Sequence, residues 1–133
     1  MKHSRRGQAM IEFMLVIVLF MVTLMGTFEV CRLLLSFATL ANASRVGIRY
    51  ATTHGSENTL AFQTTAAQIE QIVLDFTAGT LIDTSQVTVT TTWPNGIDPG
   101  DEVRVRVQLA YEPFILLPMS TTLATQTEGI ITF

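Results

Sequence analysis

Hydrophobic residues follow different patterns in the two parts of this chain. From residue 13 to residue 28 no side chain is charged, and extending the run back to Gln8 adds Glu12 as its one acidic or basic residue. As an α-helix, the segment 8–28 would rise about 30 Å, which is the thickness of the hydrocarbon core of a bilayer. The pattern therefore predicts a transmembrane helix over residues 8–28.

The next segment, 29–52, favours a continuation of the same helix. It contains no proline, and apolar side chains recur there at helical spacing, at Val30, Leu33, Leu34, Phe37, Leu40 and Ala41. We expect one helix of about 45 residues at this spacing. Its first half would lie in lipid, and its second half would be covered by a soluble domain.

Residues 53–133 have the pattern of a small α+β head. A second apolar stripe predicts an amphipathic helix that ends near Gly79, and it consists of Leu60, Phe62, Ala66, Ile69, Ile72, Val73 and Phe76. Alternating apolar and polar residues predict antiparallel strands at 86–93 and 102–112. In the second of these strands Val103, Val105 and Val107 would face the core. A third strand is predicted at 128–133, whereas 114–126 has no clear pattern.

The charges at the N-terminus predict the orientation of the span. Lys2, Arg5 and Arg6 precede it, and no acidic residue comes before Glu12. An excess of Lys and Arg keeps a flanking segment in the cytoplasm. The head would then lie on the other side of the membrane. Two alternatives remain open, a cleaved signal peptide ending near "ANA" at 41–43 and an uncleaved single-pass anchor. The signal peptide fits poorly, because its apolar region is normally about 7 to 15 residues long.

Glu12 needs an explanation, because a carboxylate inside a span is costly and rare without a partner or a role. A cut between Gly7 and Gln8 would remove the basic leader and create an α-amino group one helical turn before Glu12. The N–H groups that have no hydrogen-bond partner in the first helical turn would also favour the carboxylate. Glu12 is therefore predicted to set the register between packed subunits, pairing with the new amine of its own or a neighbouring chain.

Two stretches in the N-terminal half of the chain resemble those of known protein families. The stretch "RRGQAMIEF" resembles the type IV prepilin signal, which has a basic leader ending in glycine and a glutamate at the fifth mature position. The stretch "FEVCRLLLSFATLANASRVGIRYA" resembles TadE-like proteins, the pilin-like components of tight-adherence (Tad) pili. Its matching features are Glu29, Arg32-Leu33-Leu34, Asn42-Ala43, Arg45, Gly47, Arg49, Tyr50 and Ala51. Cys31 and Val46 depart from the usual residues of that family, and neither belongs to the processing signal.

The resemblance implies a type IV pilin-like α+β fold: a long N-terminal transmembrane helix that continues into a small periplasmic domain with a second helix and an antiparallel sheet of about three strands. The implied divisions are a leader at 1–7, a span at 8–28, an extramembrane continuation at 29–52 and a head at 53–133. The implied role is that of a minor pilin or pseudopilin in a Tad-type pilus at the inner membrane. The implied partners are a prepilin peptidase, other pilins and pseudopilins, and an inner-membrane assembly platform.

Catalytic chemistry has little support in the sequence. It contains no nucleophile elbow, zinc-protease motif or phosphate-binding loop, so we expect no enzyme and no cofactor. Asp98, Asp101 and Glu102 could hold Ca²⁺, but acidic residues beside Pro and Gly more often form a solvated turn, and no metal is expected. Removal of residues 1–7 takes three of the eight Lys and Arg residues and none of the eleven acidic ones, which argues against nucleic acid as a partner.

Five further residues are candidates for other roles. Arg45, Arg49, Arg104 and Arg106 are candidates for partner docking; for the last two, a solvated sheet face is the simpler interpretation. Cys31 is the only cysteine, so it has no intrachain disulfide partner. It is expected to be a buried small apolar residue, with an intersubunit disulfide or a reactive thiol as alternatives.

Overall fold

The computed structural model describes residues 3–54, 62–80, 82–113 and 120–132. The elements are helix α1 (His3–His54), helix α2 (Phe62–Ala78), a short 3-10 turn (Thr84–Gln86) and strands β1 (Val87–Thr92), β2 (Glu102–Tyr111) and β3 (Thr121–Ile130). This α+β arrangement, with a long N-terminal helix, a second helix and a three-stranded antiparallel sheet, confirms the predicted fold class.

Helix α1 is 52 residues long and extends the predicted helix at both ends. Its apolar N-terminal part is long and apolar enough to cross a membrane, and the most apolar stretch is not buried against the rest of the chain. Two threonines within it donate their hydroxyls to the carbonyls one turn earlier, Thr23 to Leu19 at 2.8 Å and Thr27 to Thr23 at 2.9 Å. These bonds satisfy polar side chains that lipid could not hydrogen-bond.

The sheet has the order β1-β2-β3, so β2 is the central strand. Val105 pairs with Thr91 on one side and with Thr127 on the other. The predicted inward face of β2 is confirmed, since Val103, Val105 and Val107 are fully buried. Pleating places Arg104 and Arg106 on the opposite face, where Arg104 is partly exposed and Arg106 is exposed.

The third strand was predicted too near the C-terminus. It spans Thr121–Ile130 rather than 128–133, and it pairs with the whole of β2. Its inward positions include Thr125, Thr127 and Gly129, which are only half-buried. The apolar alternation that identifies a strand is therefore missing, and the strand forms because β2 offers a complete row of backbone partners.

Helix α1 packs on the head through small residues. The face that contacts the head includes Leu40, Ala43, Gly47 and Ala51. A Cβ on Gly47 would come within 2.9 Å of Val73 Cγ2 on α2, and a Cβ on Gly129 within 2.8 Å of Thr52 Cγ2 on α1. The backbones of these elements therefore approach more closely than any larger side chain at either position would allow.

The apolar positions expected to form the buried face of α1 were only partly correct. Leu40 is buried, but Val30, Leu34 and Phe37 are 58%, 60% and 47% exposed. The predicted buried face of helix α2 was also partly wrong, because Phe76 is exposed and the neighbouring Thr77 is buried instead. The Thr77 hydroxyl donates to the carbonyls of Val73 and Leu74, which makes its burial tolerable.

Candidate functional site

The predicted processing site lies within helix α1. Gly7 and Gln8 are exposed, and beyond the adjacent residues and the local helix backbone nothing lies within 4 Å of the position that a Cβ on Gly7 would take. Glu12 is exposed one turn further along, beside Met10, Ile11 and Phe13, which are 65–69% exposed. The structure thus places one carboxylate on an otherwise apolar helix surface, next to the first residues of the predicted mature chain.

A polar cluster joins α1 to the end of β2, and the sequence did not predict it. The Tyr111 hydroxyl donates a hydrogen bond to Glu29 Oε1, and Arg32 Nη1 lies 3.9 Å from Glu29 Oε2. Arg32 also stacks over the Tyr111 ring, 5.1 Å from its centroid, and donates to the carbonyl of Glu112 at 3.1 Å. We call Glu29, Arg32 and Tyr111 the junction clamp.

Electrostatics favour the neutral form of the tyrosine in the junction clamp. Burial raises the pKa of Tyr111, and the hydrogen bond to Glu29 raises this pKa further, while the charge of Arg32 lowers it. The clamp therefore holds the head against α1 just beyond the predicted span. Glu29 and Arg32 contributed to the family resemblance, but their contacts with Tyr111 cross about eighty residues, and no local sequence signal reveals them.

The four candidate docking arginines do not come together. Arg45 and Arg49 are exposed on α1, one turn apart, whereas Arg104 and Arg106 lie on the outer face of the sheet. Because α1 packs on the inner face of the sheet, the two pairs belong to different surfaces of the head.

Arg104 is already engaged within the chain. Its Nε lies 2.8 Å from Glu102 Oε1 and 3.2 Å from Glu128 Oε1. The hydrogen bonds from Arg104 lower the pKa of Glu102, and those to Glu102 raise the pKa of Arg104. Its charge is therefore largely balanced on the sheet surface, which makes it a weaker candidate for partner docking than Arg45 or Arg49.

The acidic loop before β2 is a structured turn. The carboxylate of Asp101 accepts a hydrogen bond from the backbone N–H of Asp98 at 3.2 Å, while Glu102 binds Arg104. Gly96 and Gly100 adopt φ values of 129° and 102°, which larger residues rarely adopt. Within residues 3–54, 62–80, 82–113 and 120–132, no group of three or more His, Cys, Asp or Glu side chains could hold a metal ion.

Cys31 was predicted to be buried, and this prediction is wrong for the isolated chain. Its side chain is exposed on α1, one residue before Arg32. The α1 side chains that the head buries in this region include Ser36 and Leu40 but not Cys31, so an apolar sequence neighbourhood did not imply burial here.

An unburied apolar helix that continues into an α+β head is consistent with a single-pass membrane-anchored protein. A family model described as TadE-like protein matches residues 7–49. This match confirms the resemblance to TadE-like proteins of Tad pili, and it covers α1 from the predicted cleavage point almost to its end. Neither the curated proteins nor the solved structures contain a match to the chain.

Proposed function

We propose that the protein is a TadE-like minor pilin or pseudopilin, a structural component needed to assemble a Tad-type (type IVc) pilus used in adhesion or secretion. The observation that supports this proposal best is the course of α1. The helix runs without a break from Gly7, through the apolar stretch, to the core residues Leu40 and Ala51 of the head. A pilin needs this continuity, because a subunit that packs through its helix must carry its head at a fixed position.

Processing would change the chemistry of the helix end. A prepilin peptidase that cuts after Gly7 would make Gln8 the first residue of α1, with a free amine and a set of helix N–H groups without intrahelical partners. Glu12 would then lie one turn from a positive charge, on a surface that is otherwise apolar. Subunits would pack favourably where this carboxylate meets an amine, in their own chain or in a neighbour's.

The head would provide the contacts with other assembly components. The arginines of α1, Arg45 and Arg49, are exposed one turn apart and are the preferred docking candidates. Arg106 is exposed on the outer face of the sheet and is a second candidate there. The proposed location is the inner membrane, with the N-terminus in the cytoplasm and the head in the periplasm, and with the assembly platform and other pilins as partners.

The alternative is a permanent single-pass anchor that displays the head as an interaction domain. The helical course of residues 3–7, ahead of the predicted cut, suits such an uncleaved anchor as well. The two proposals differ in the mass of the mature protein. Purification from native membranes should give a chain beginning at Gln8 if the protein is a processed pilin, and a chain that retains residues 1–7 if it is a permanent anchor.

Substitution of the residue before the cut gives a matched pair of variants. Gly7→Leu should block cleavage by a coexpressed prepilin peptidase, because the enzyme is expected to need a small residue at that position. Gly26→Leu is the control, since Gly26 lies in the same helix and an added Cβ there would also meet nothing within 4 Å beyond the local helix backbone. Intact mass spectrometry should show the full-length chain for Gly7→Leu and the product from Gln8 for Gly26→Leu. Cleavage of Gly7→Leu at the wild-type rate would contradict the proposed processing site.

A further inference from the structure

A cleft lies where α1 leaves the predicted span and meets the head, and we call it the junction cleft. Its apolar half has a volume of about 410 Å³ and is lined by residues that include Phe28, Cys31, Leu35 and Ile82. Its polar half has a volume of about 380 Å³ and includes Asp83, Gln86 and Glu112. Arg32, Ser36 and Ile82 line both halves, so the two cavities adjoin along one side of the helix.

The apolar half continues the surface of the predicted span. One face of α1 carries a stripe of apolar residues spaced alternately by four and three positions. The stripe consists of Ile17, Met21, Leu24, Phe28, Cys31 and Leu35. The first four of these side chains are 40–67% exposed, and nothing in the described part of the chain covers this stripe before the head begins. A molecule that lies along the span can therefore follow apolar side chains from the span into the cleft.

The size of the cleft favours a chain over a helix. An α-helix with side chains is about 10 Å wide, so a segment as long as the stretch from Phe28 to Thr39 would displace roughly 1,200 Å³. The apolar half, at about 410 Å³, is smaller than such a helix. A flexible hydrocarbon chain fits a cavity of these proportions, whereas a second helix would remain outside it.

Charges in the polar half have both signs. Arg32 contributes a cation, and Asp83 and Glu112 contribute anions. Hydrogen bonds from the hydroxyl and the backbone N–H of Ser85 lower the pKa of Asp83, which keeps this carboxylate ionised. Glu29 already balances part of the charge of Arg32, since its Oε2 lies 3.9 Å from Arg32 Nη1. This arrangement suits a headgroup with both a phosphate and an ammonium group better than one with a phosphate alone.

We propose that the junction cleft binds one phospholipid with a zwitterionic, primary-ammonium headgroup, of the phosphatidylethanolamine type. Its acyl chain would lie against Phe28, Cys31 and Leu35. Its phosphate would face Arg32, and its ammonium group would face Asp83. Such a lipid would connect the head to the membrane surface. The proposal rests on the membrane placement in the proposed function and needs neither cleavage nor pilus assembly.

The test uses the full-length chain reconstituted in phosphatidylcholine nanodiscs that contain equal small fractions of phosphatidylethanolamine and phosphatidylglycerol. After extraction into detergent, native mass spectrometry counts the lipid retained per chain. The wild type should retain about one phosphatidylethanolamine and little phosphatidylglycerol, as expected when opposite charges are matched across a binding site. Equal retention of the two lipids by the wild type would overturn the proposed headgroup selectivity.

Two neighbouring leucines provide the blocking variant and its control. Leu35→Trp fills the apolar half, whereas Leu34→Trp places the same side chain on the adjacent face of α1, where Leu34 is 60% exposed. Leu35→Trp should lower retention at least about tenfold, because each methylene excluded from an apolar site weakens binding roughly fourfold. Leu34→Trp should retain wild-type amounts. If Leu35→Trp fails to fold by circular dichroism, Cys31→Trp blocks the same cavity. Wild-type retention by a folded blocking variant would overturn the proposal.

Asp83→Asn tests the polar half without removing the acceptor that caps the 3-10 turn, since Asp83 accepts the Ser85 N–H through Oδ1. This variant should lose its preference for phosphatidylethanolamine over phosphatidylglycerol. An unchanged preference would overturn the role given to Asp83.

A second protein chain that occupies the cleft and protects the Cys31 thiol would also overturn the lipid proposal. Uncleaved Gly7→Leu should still retain the lipid, so failure of the pilin proposal and failure of this one are distinguishable.

Discussion

Glu12 is the residue whose chemistry differs most from its surroundings. It is exposed on α1 among side chains that are nearly all apolar. Insertion into a membrane does not need it, since Glu12→Leu makes the span more apolar. Cleavage should also continue, because the leader and Gly7 are unchanged. The specific requirement for Glu12 is therefore expected only when helices pack together.

We predict that Glu12→Leu is inserted and processed but no longer co-purifies with partner pilins. An unpaired amine at a helix interface loses its counter-ion, and removal of one member of a desolvated charge pair typically costs about 3–5 kcal/mol. Glu12→Asp should be intermediate, because it keeps the charge and shortens its reach. The measurements are co-purification and counts of pili. Wild-type levels of both in processed Glu12→Leu would contradict the register role.

Gly47 shows how one missing side chain allows three elements to meet. An added Cβ would lie 2.9 Å from Val73 Cγ2 and 3.2 Å from Val105 Cγ1, so α1, α2 and β2 all crowd this position. We predict that Gly47→Leu lowers the free energy of unfolding by about 1–3 kcal/mol or more through overpacking. Thermal melts in detergent should show a clear loss relative to wild type, and Gly26→Leu should not. Equal melting of Gly47→Leu and wild type would contradict the close packing.

At the scale of elements, the junction clamp decides how the head is held on the helix. The clamp connects α1 to the last residue of β2 through a hydrogen bond and a cation–π contact, and an ion pair within α1 links Glu29 to Arg32. Each of these is modest alone, and together they restrict rotation of the head about the helix at the end of the predicted span. The head should therefore keep a fixed orientation relative to α1.

The raised pKa of Tyr111 leads to a prediction on alkaline stability. A group whose pKa is raised on folding stabilises the fold fully below its unfolded value, about 10 for tyrosine, and this contribution is lost as pH rises through the folded value. Tyr111→Phe should lower stability by about 1–2 kcal/mol at neutral pH, because Glu29 loses a donor. The difference from wild type should shrink above about pH 10.

Thermal melts from pH 8 upward measure this difference, with Tyr50→Phe as the control for the loss of one tyrosine hydroxyl. The Tyr50 hydroxyl donates to Gln68 Oε1 at 3.0 Å in an exposed position. A constant gap between wild type and Tyr111→Phe across the whole pH range would show that the Tyr111 hydroxyl does not titrate with folding as inferred.

For the molecule as a whole, the first question is which side of the membrane carries the head. In a Cys31→Ser background, Thr88→Cys places a thiol on an exposed position of β1. A membrane-impermeant maleimide should label it in intact spheroplasts if the head is periplasmic. Ser4→Cys, combined with uncleaved Gly7→Leu, should react only after lysis. The opposite labelling pattern would reverse the orientation predicted from Lys2, Arg5 and Arg6.

The sequence by itself determined the elements whose signal is local. The uncharged run predicted the apolar part of α1, and strict alternation predicted β2 and its inward face of Val103, Val105 and Val107. The order of short motifs along α1 predicted the family resemblance that the match over residues 7–49 confirms. These features were predictable because helix and strand periods are properties of neighbouring residues.

Only the tertiary structure decided which side chains of α1 are buried against the head and which residues distant in the sequence are in contact. It placed the small residues Ala43 and Gly47 against the head and left Leu34 and Phe37 exposed. Small residues let the backbones of the helix and the head come close, and closely packed elements make more contacts than elements that large side chains keep apart. It began β3 at Thr121, where pairing with β2 outweighs a weak local pattern. It also brought Tyr111 to Glu29 from the far end of β2, a contact that depends on the pairing of α1 with the sheet and not on any spacing along the chain.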